Sequence, residues 1–96
     1  MAAYRLTEAA KNDLRRIYFY GWEQWGEAAA DRYHDALYDR FEEIAERPNS
    51  YPAVDHVSKG YRRSVCGVDN IYYRIGGDGI VEIMAILGSQ DAEEIL

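Results

Sequence analysis

Hydrophobic residues recur at helical spacing in the first half of the chain and in strand-like runs in the second. The opening Ala3 to Leu6 is short, with Tyr4 and Leu6 on one side, and can be a strand only if other strands shelter it. Ala10, Leu14, Ile17, Gly21 and Trp25 then follow at spacings of 4, 3, 4 and 4, the apolar stripe of a helix that Tyr18 and Trp22 widen. Thr7 stands where an N-cap belongs, because its hydroxyl can accept an orphan amide bond, and Glu8 suits the positive end of the helix dipole. Gly26 ends this helix. The Trp25-Gly26-Glu27 junction leaves so little loop that the next helix has to run back antiparallel, as a hairpin. In that second helix Ala30, Tyr33, Leu37, Phe41 and Ile44 recur at spacings of 3, 4, 4 and 3, and Pro48, which cannot continue a helix, bounds it.

Asn49 to Gly60 has no sustained period and contains Pro52 and Gly60, the pattern of a surface loop. Beyond it lie three β-rich runs: Tyr61 to Val68, Asn70 to Ile75 and Ile80 to Leu87. Asp69 separates the first two, and Gly76-Gly77-Asp78-Gly79, a strong hairpin signal, separates the last two. In the last run only Glu82 interrupts the apolar residues, so both of its faces should be buried and it should be central in the sheet. Ser89 to Leu96 can form one turn of helix that returns Ile95 and Leu96 to the core. The order β-α-α-β-β-β predicts an α+β fold, an N-terminal strand and antiparallel helical hairpin packed on a mainly antiparallel twisted sheet. With 96 residues, one domain spanning 1–96 is expected.

Charge narrows the possible functions. A net charge of -6 and a pI near 4.8 suit poorly a protein that works by gripping a phosphate backbone, so no direct nucleic-acid binding is expected. The imbalance is local: Gly21 to Glu46 holds eight acids and two bases, whereas Lys59 to Arg74 holds four bases and one acid. Asp31, Asp35 and Asp39 repel one another at successive i, i+4 positions, and a basic neighbour is expected for them. Arg62 and Arg63 point to opposite faces of a strand, and one of them is expected to pair with the acidic helices. The longest apolar run, Ile83 to Leu87, is far short of the ~18 residues that span a bilayer. The start has no basic segment followed by an apolar core, as a secretory signal would, and Cys66 stands alone, which forbids an internal disulfide. A cytoplasmic protein is expected.

No catalytic constellation follows from the remaining residues. His34 and His56 lack zinc-ligand spacing, so no metal or other cofactor is expected. The carboxylates crowd onto one solvated helical face, a single environment, whereas paired acid and base work needs two. Nine tyrosines are more than a small core easily holds, and Tyr20, Tyr38, Tyr51 and Tyr72 are the hardest to place inside. As a set they point to a docking surface, where rigid rings cover area at low entropy cost.

An ordered series of short motifs adds a family resemblance. Tyr4-Arg5-Leu6-Thr7, Ala9-Ala10, Asp13-Leu14, Ile17-Tyr18, Trp25-Gly26, Ala30-Asp31-Arg32-Tyr33, Ala45-Glu46-Arg47-Pro48, Gly60-Tyr61-Arg62-Arg63 and Ile71-Tyr72-Tyr73-Arg74-Ile75 resemble the ParE toxins of bacterial type II toxin-antitoxin modules, in the ParE/RelE superfamily. The likeness covers nearly the whole chain in order. It implies the same fold, a ParD-like antitoxin whose C-terminal segment wraps the toxin, and DNA gyrase as the target, with no enzymatic activity. Contacts with partners are expected from Arg62, Arg63 and Arg74 with Tyr61 and Tyr72.

The alternative within the superfamily is a ribosome-dependent mRNA endoribonuclease of RelE type. Such nucleases use basic residues and a tyrosine to stabilise and protonate the transition state. Here Arg62 keeps one basic position, but the approximate counterparts of the others are Ser64, Asn70, Ser89 or Gln90, and Ile95. The chain also departs from ParE: where relatives carry a basic segment after the last strand, it has Gly88-Ser89-Gln90-Asp91.

Overall fold

The computed structural model describes residues 3–88, so the expected helical turn over 89–96 lies outside the described residues. A three-residue strand, β1 (Tyr4–Leu6), leads into α1 (Glu8–Trp25), and the Thr7 hydroxyl accepts the Ala10 amide at 3.0 Å as the N-cap. Gly26 has φ 90° and ψ 169°, a conformation open to glycine and few other residues. That freedom lets one residue close α1, by donating its N–H to the Trp22 carbonyl, and start α2 (Glu27–Glu46), by accepting from the Ala30 amide. Three strands follow: β2 (Arg62–Cys66), β3 (Asp69–Ile75) and β4 (Val81–Leu87).

The sheet order is β1-β4-β3-β2, so β4 is an inner strand as its apolar run requires. β2, β3 and β4 are antiparallel, while β1 pairs parallel to β4 with Tyr4 opposite Val81. A bulge explains why β4 shows so little alternation. Tyr72 faces Ala85 and Tyr73 faces Ile83, leaving Met84 as the extra residue. Val81, Ile83 and Ile86 thereby join the core under the helices, with Leu14, Leu37, Phe41, Ile44, Ile71 and Tyr73. Ala85 and Leu87 join a second, smaller cluster with Val54 and Tyr72, beneath Val57 and Tyr61.

That second cluster gives the aperiodic segment 49–60 a role. It is a strap across the sheet, tied by the Val54 amide to the Tyr61 carbonyl at 2.8 Å. The Tyr73 hydroxyl donates to the Pro48 carbonyl at 2.6 Å, and the Arg62 guanidinium to the Tyr51 carbonyl at 2.6 Å. Burial pushes the Tyr73 phenol up to about 12, so it remains a donor.

The turn between β2 and β3 comes earlier than the expected separator, Asp69. The turn is Gly67-Val68, and Asp69 is already in β3, opposite Cys66. Gly67 has φ 59°, and a Cβ there would lie 2.6 Å from Cε1 of Tyr33, so backbone angle and close packing both demand glycine.

β1 is too short to cover β4 beyond Ile83, and α1 completes that edge with side chains. The Thr7 hydroxyl donates to the Met84 carbonyl at 3.0 Å. Asp13 accepts the Ile86 amide at 2.9 Å, and Arg16 donates to the Ile86 carbonyl at 3.1 Å. The backbone groups of an open edge are thereby satisfied without another strand.

Candidate interaction site

The apolar stripe of α1 outlasts the sheet beneath it. Ala10, Leu14 and Ile17 are buried, but Trp22 is 50% and Trp25 67% exposed, contrary to the expectation that both belong to the packed face. Phe19 and Tyr20 are exposed as well, at 61% and 59%. Five aromatic residues within Tyr18 to Trp25 cover more of the helix circumference than one core can accept, a signal present in the sequence that periodicity alone passes over.

At this tip a groove of about 710 Å³ opens between the hairpin and the β2–β3 turn. Ile17, Gly21, Ala30 and Leu37 line its interior side, and Trp25, Tyr20 and Val68 stand at the rim. Val68 is 82% exposed, and the Tyr20 and Trp25 rings meet edge to face at 5.8 Å. Its polar lining comprises Arg16, His34, Asp69 and tyrosine hydroxyls, among them that of Tyr33, which lies 2.8 Å from both the Cys66 carbonyl and Asp69 Oδ2. Burial first, and then the bond to Asp69, push its pKa up, so it stays a neutral donor that ties α2 to the turn. The lining is otherwise apolar, which suits an apolar side-chain stripe better than a charged ligand.

The outer seam of the hairpin carries a row of rings. His34 packs against Tyr18 at 5.6 Å and against Tyr38 at 4.9 Å, so it is a packing residue of the seam. The Tyr18 hydroxyl donates to Asp31 at 2.8 Å. Asp31, Asp35 and Asp39 are exposed, and among the described residues no ion pair reaches them. The basic neighbour expected for this stripe is therefore not supplied by the sheet.

The sheet arginines are engaged elsewhere. Arg74 donates to Glu82 at 2.6 Å, and Arg5 bridges Glu82 at 3.2 Å and Asp78 at 2.9 Å, a quartet of two cations and two carboxylates. Arg74 first, and Arg5 less, hold the Glu82 carboxyl below its usual range, and Arg5 does the same for Asp78. Arg62 is tied to the strap, and Arg63 lies across from Tyr72, so neither pairs with the acidic helices as expected. Arg40 of α2 runs the other way, donating to the Ser64 hydroxyl at 2.8 Å and to the Val65 carbonyl.

The five expected contact residues do not form one surface. Arg62 is in register with Tyr73, which belongs to the helix-side core, and Arg63 with Tyr72, which belongs to the cluster under the strap. Tyr61 is half-buried against that cluster, and Arg74 sits in the charged quartet. Tyr72 must be withdrawn as a contact: it is 1% exposed because the strap covers it. Of the other tyrosines expected outside, Tyr20 is exposed, while Tyr38 and Tyr51 pack partly against the core. Among the described residues no group of three His, Cys, Asp or Glu side chains could hold a metal ion.

Comparison with known proteins bears on this arrangement. Residues 4–93 match the family model described as ParE toxin of type II toxin-antitoxin system, parDE. The chain is 37% identical over 87 residues to Toxin ParE1 of Caulobacter vibrioides, covering 91% of this chain and 88% of that protein. It is 29% identical over 84 residues to Toxin ParE1 of Mycobacterium tuberculosis, covering 88% of this chain and 86% of that one. Among solved structures, the Chromosomal ParDE TA system from P. aeruginosa contains a chain that superposes with a TM-score of 0.79 at 18% identity, over 92% of this chain and 96% of that one, a likeness of fold.

Proposed function

The chain belongs to the ParE toxin family of type II toxin-antitoxin systems, and from that premise we propose that it is the toxin of such a pair, acting by binding and not by catalysis. A ParD-like antitoxin neutralises it by laying an apolar stripe into the groove at the hairpin tip. Freed from the antitoxin in the cytoplasm, the toxin inhibits DNA gyrase. The observation that carries the antitoxin reading is the exposed apolar rim, Tyr20, Trp25 and Val68, around a groove whose interior side is already lined by Ile17 and Leu37. Burying such a rim on a partner is favourable at roughly 25 cal/mol per Å² of apolar surface before the costs of association are counted.

The nuclease alternative has less support. Ser64 and Asn70, which stand at two positions of its catalytic set, are buried at 1% and 5% exposure, and Arg62 is tied to the Tyr51 carbonyl. No described residue lies in a helix long and apolar enough to cross a membrane. A supercoiling assay with gyrase and purified toxin tests the target, with inhibition expected and relief on adding antitoxin. Full supercoiling at toxin excess, with antitoxin binding intact, contradicts the gyrase reading. Transcript cleavage in a translation mixture contradicts the non-enzymatic one.

A further inference from the structure

We propose that the outer face of the helical hairpin is a second docking surface, separate from the groove rim, and that its occupant is a cationic amphipathic helix of a partner protein. The face begins with exposed aromatic residues: Phe19 is 61% and Trp22 50% exposed, and neither borders the groove at the tip. A shallower depression on this side is lined by Leu14, Phe19 and Tyr38, with Tyr18 and His34 shared between it and the groove. The rings there are already held edge-on and tilted against one another, so little side-chain freedom remains to be lost on binding.

Charge selects the occupant. Asp31, Asp35 and Asp39 recur on α2 at i, i+4, one carboxylate for each ~6 Å of helix rise. Lysines or arginines at i, i+4 on an antiparallel helix would meet that spacing while its apolar residues cover Trp22 and Phe19. The sheet and strap do not supply these cations, because Arg5, Arg40, Arg62 and Arg74 are bound there, and Arg32, beside the stripe on α2, forms no ion pair with it among the described residues. Lys11 and Arg15 border the depression on α1; Lys11 pairs with Glu8 and Arg15 donates to the neutral Asn12 amide oxygen, so neither reaches the aspartates of α2. A second copy of the chain is a poor occupant, since a two-fold contact through this face would set the aspartates of one copy against those of the other. A nucleic acid is excluded by the same sign of charge.

The test uses the full chain and a synthetic amphipathic helix of leucine and lysine, titrated by calorimetry at physiological salt. Asp31→Asn with Asp35→Asn and Asp39→Asn removes the charges while relieving repulsion along α2, so the fold is not endangered. This variant should bind the peptide at least tenfold more weakly, and Trp22→Ala at least fivefold more weakly. Trp25→Ala, at the groove rim, should leave peptide binding unchanged, which keeps this result apart from that for the antitoxin. A control variant, Asp55→Asn with Asp78→Asn, removes two charges on the strap and the β3–β4 turn, away from the hairpin, and should stay within twofold of the parent. Equal weakening in the control would reduce the binding to net charge and overturn the proposal. Unaltered binding in the aspartate or Trp22 variant, or self-association that Trp22→Ala abolishes, would overturn it too.

Discussion

At the base of the helical hairpin Leu14, Phe41 and Ile44 are at most 4% exposed, whereas at its tip Trp22 and Trp25 are 50% and 67% exposed. One hydrophobic rhythm runs through both ends of α1. The base has β4 and β1 beneath it, and the tip extends past them toward the β2–β3 turn. An apolar residue of the hairpin is therefore buried or exposed according to what the sheet can reach, and the proposed antitoxin site lies where the pattern continues and the sheet does not.

The largest expected effect breaks the base. Phe41, packed on Tyr4 at 5.5 Å and Tyr38 at 5.3 Å, should cost about 3–5 kcal/mol of stability as Phe41→Ala, measured by denaturant unfolding. A loss below about 1 kcal/mol would mean that the base is not the core. The counterpart at the tip is Trp25→Ala, which should change stability by no more than about 0.5 kcal/mol. It should nevertheless weaken antitoxin binding by about 2 kcal/mol, roughly 30-fold, in a calorimetric titration. The reverse split would erase the contrast between the two ends.

Asp13→Ala tests how the base is anchored. It strands the buried Ile86 amide at the open edge of β4 and should cost about 1.5 kcal/mol, with faster hydrogen exchange at Ile86. The smallest effect concerns the exposed quartet, far from both ends of the contrast. Asp78 has a folded-state pKa below its ordinary 3.8, so the stability it contributes is present above that value and lost as pH falls through the lower one. Asp78→Asn should lower Tm slightly at pH 7, and the difference from the parent should close in acid. A gap that widens as pH falls would contradict the assignment of that ion pair.

Much of the base was legible because its causes are local. The Thr7 cap, the two helical periods and the glycine at position 26 depend only on neighbouring residues, and the unbroken apolar run of β4 announced an inner strand. The tip was not, since nothing near Trp22 and Trp25 in the chain says where the sheet ends. Tyr72 was misplaced for a related reason: the strap that covers it has no period, so its burial through Val54 depends on contacts distant in sequence. The Arg74–Glu82 pair depends on the register of β3 against β4, which a bulge between Tyr72 and Tyr73 shifts. Gly67 is the exception, a turn residue whose cause is local but which lies inside a run of strand formers.

Amide hydrogen exchange on the toxin, free and bound to its antitoxin, is the most direct measurement of whether the hairpin tip is the binding surface. Slowed exchange concentrated in the second half of α1, the first half of α2 and the Gly67-Val68 turn is the expected result. Protection confined to the strap and the charged face of the sheet, with the tip unaltered, would contradict it.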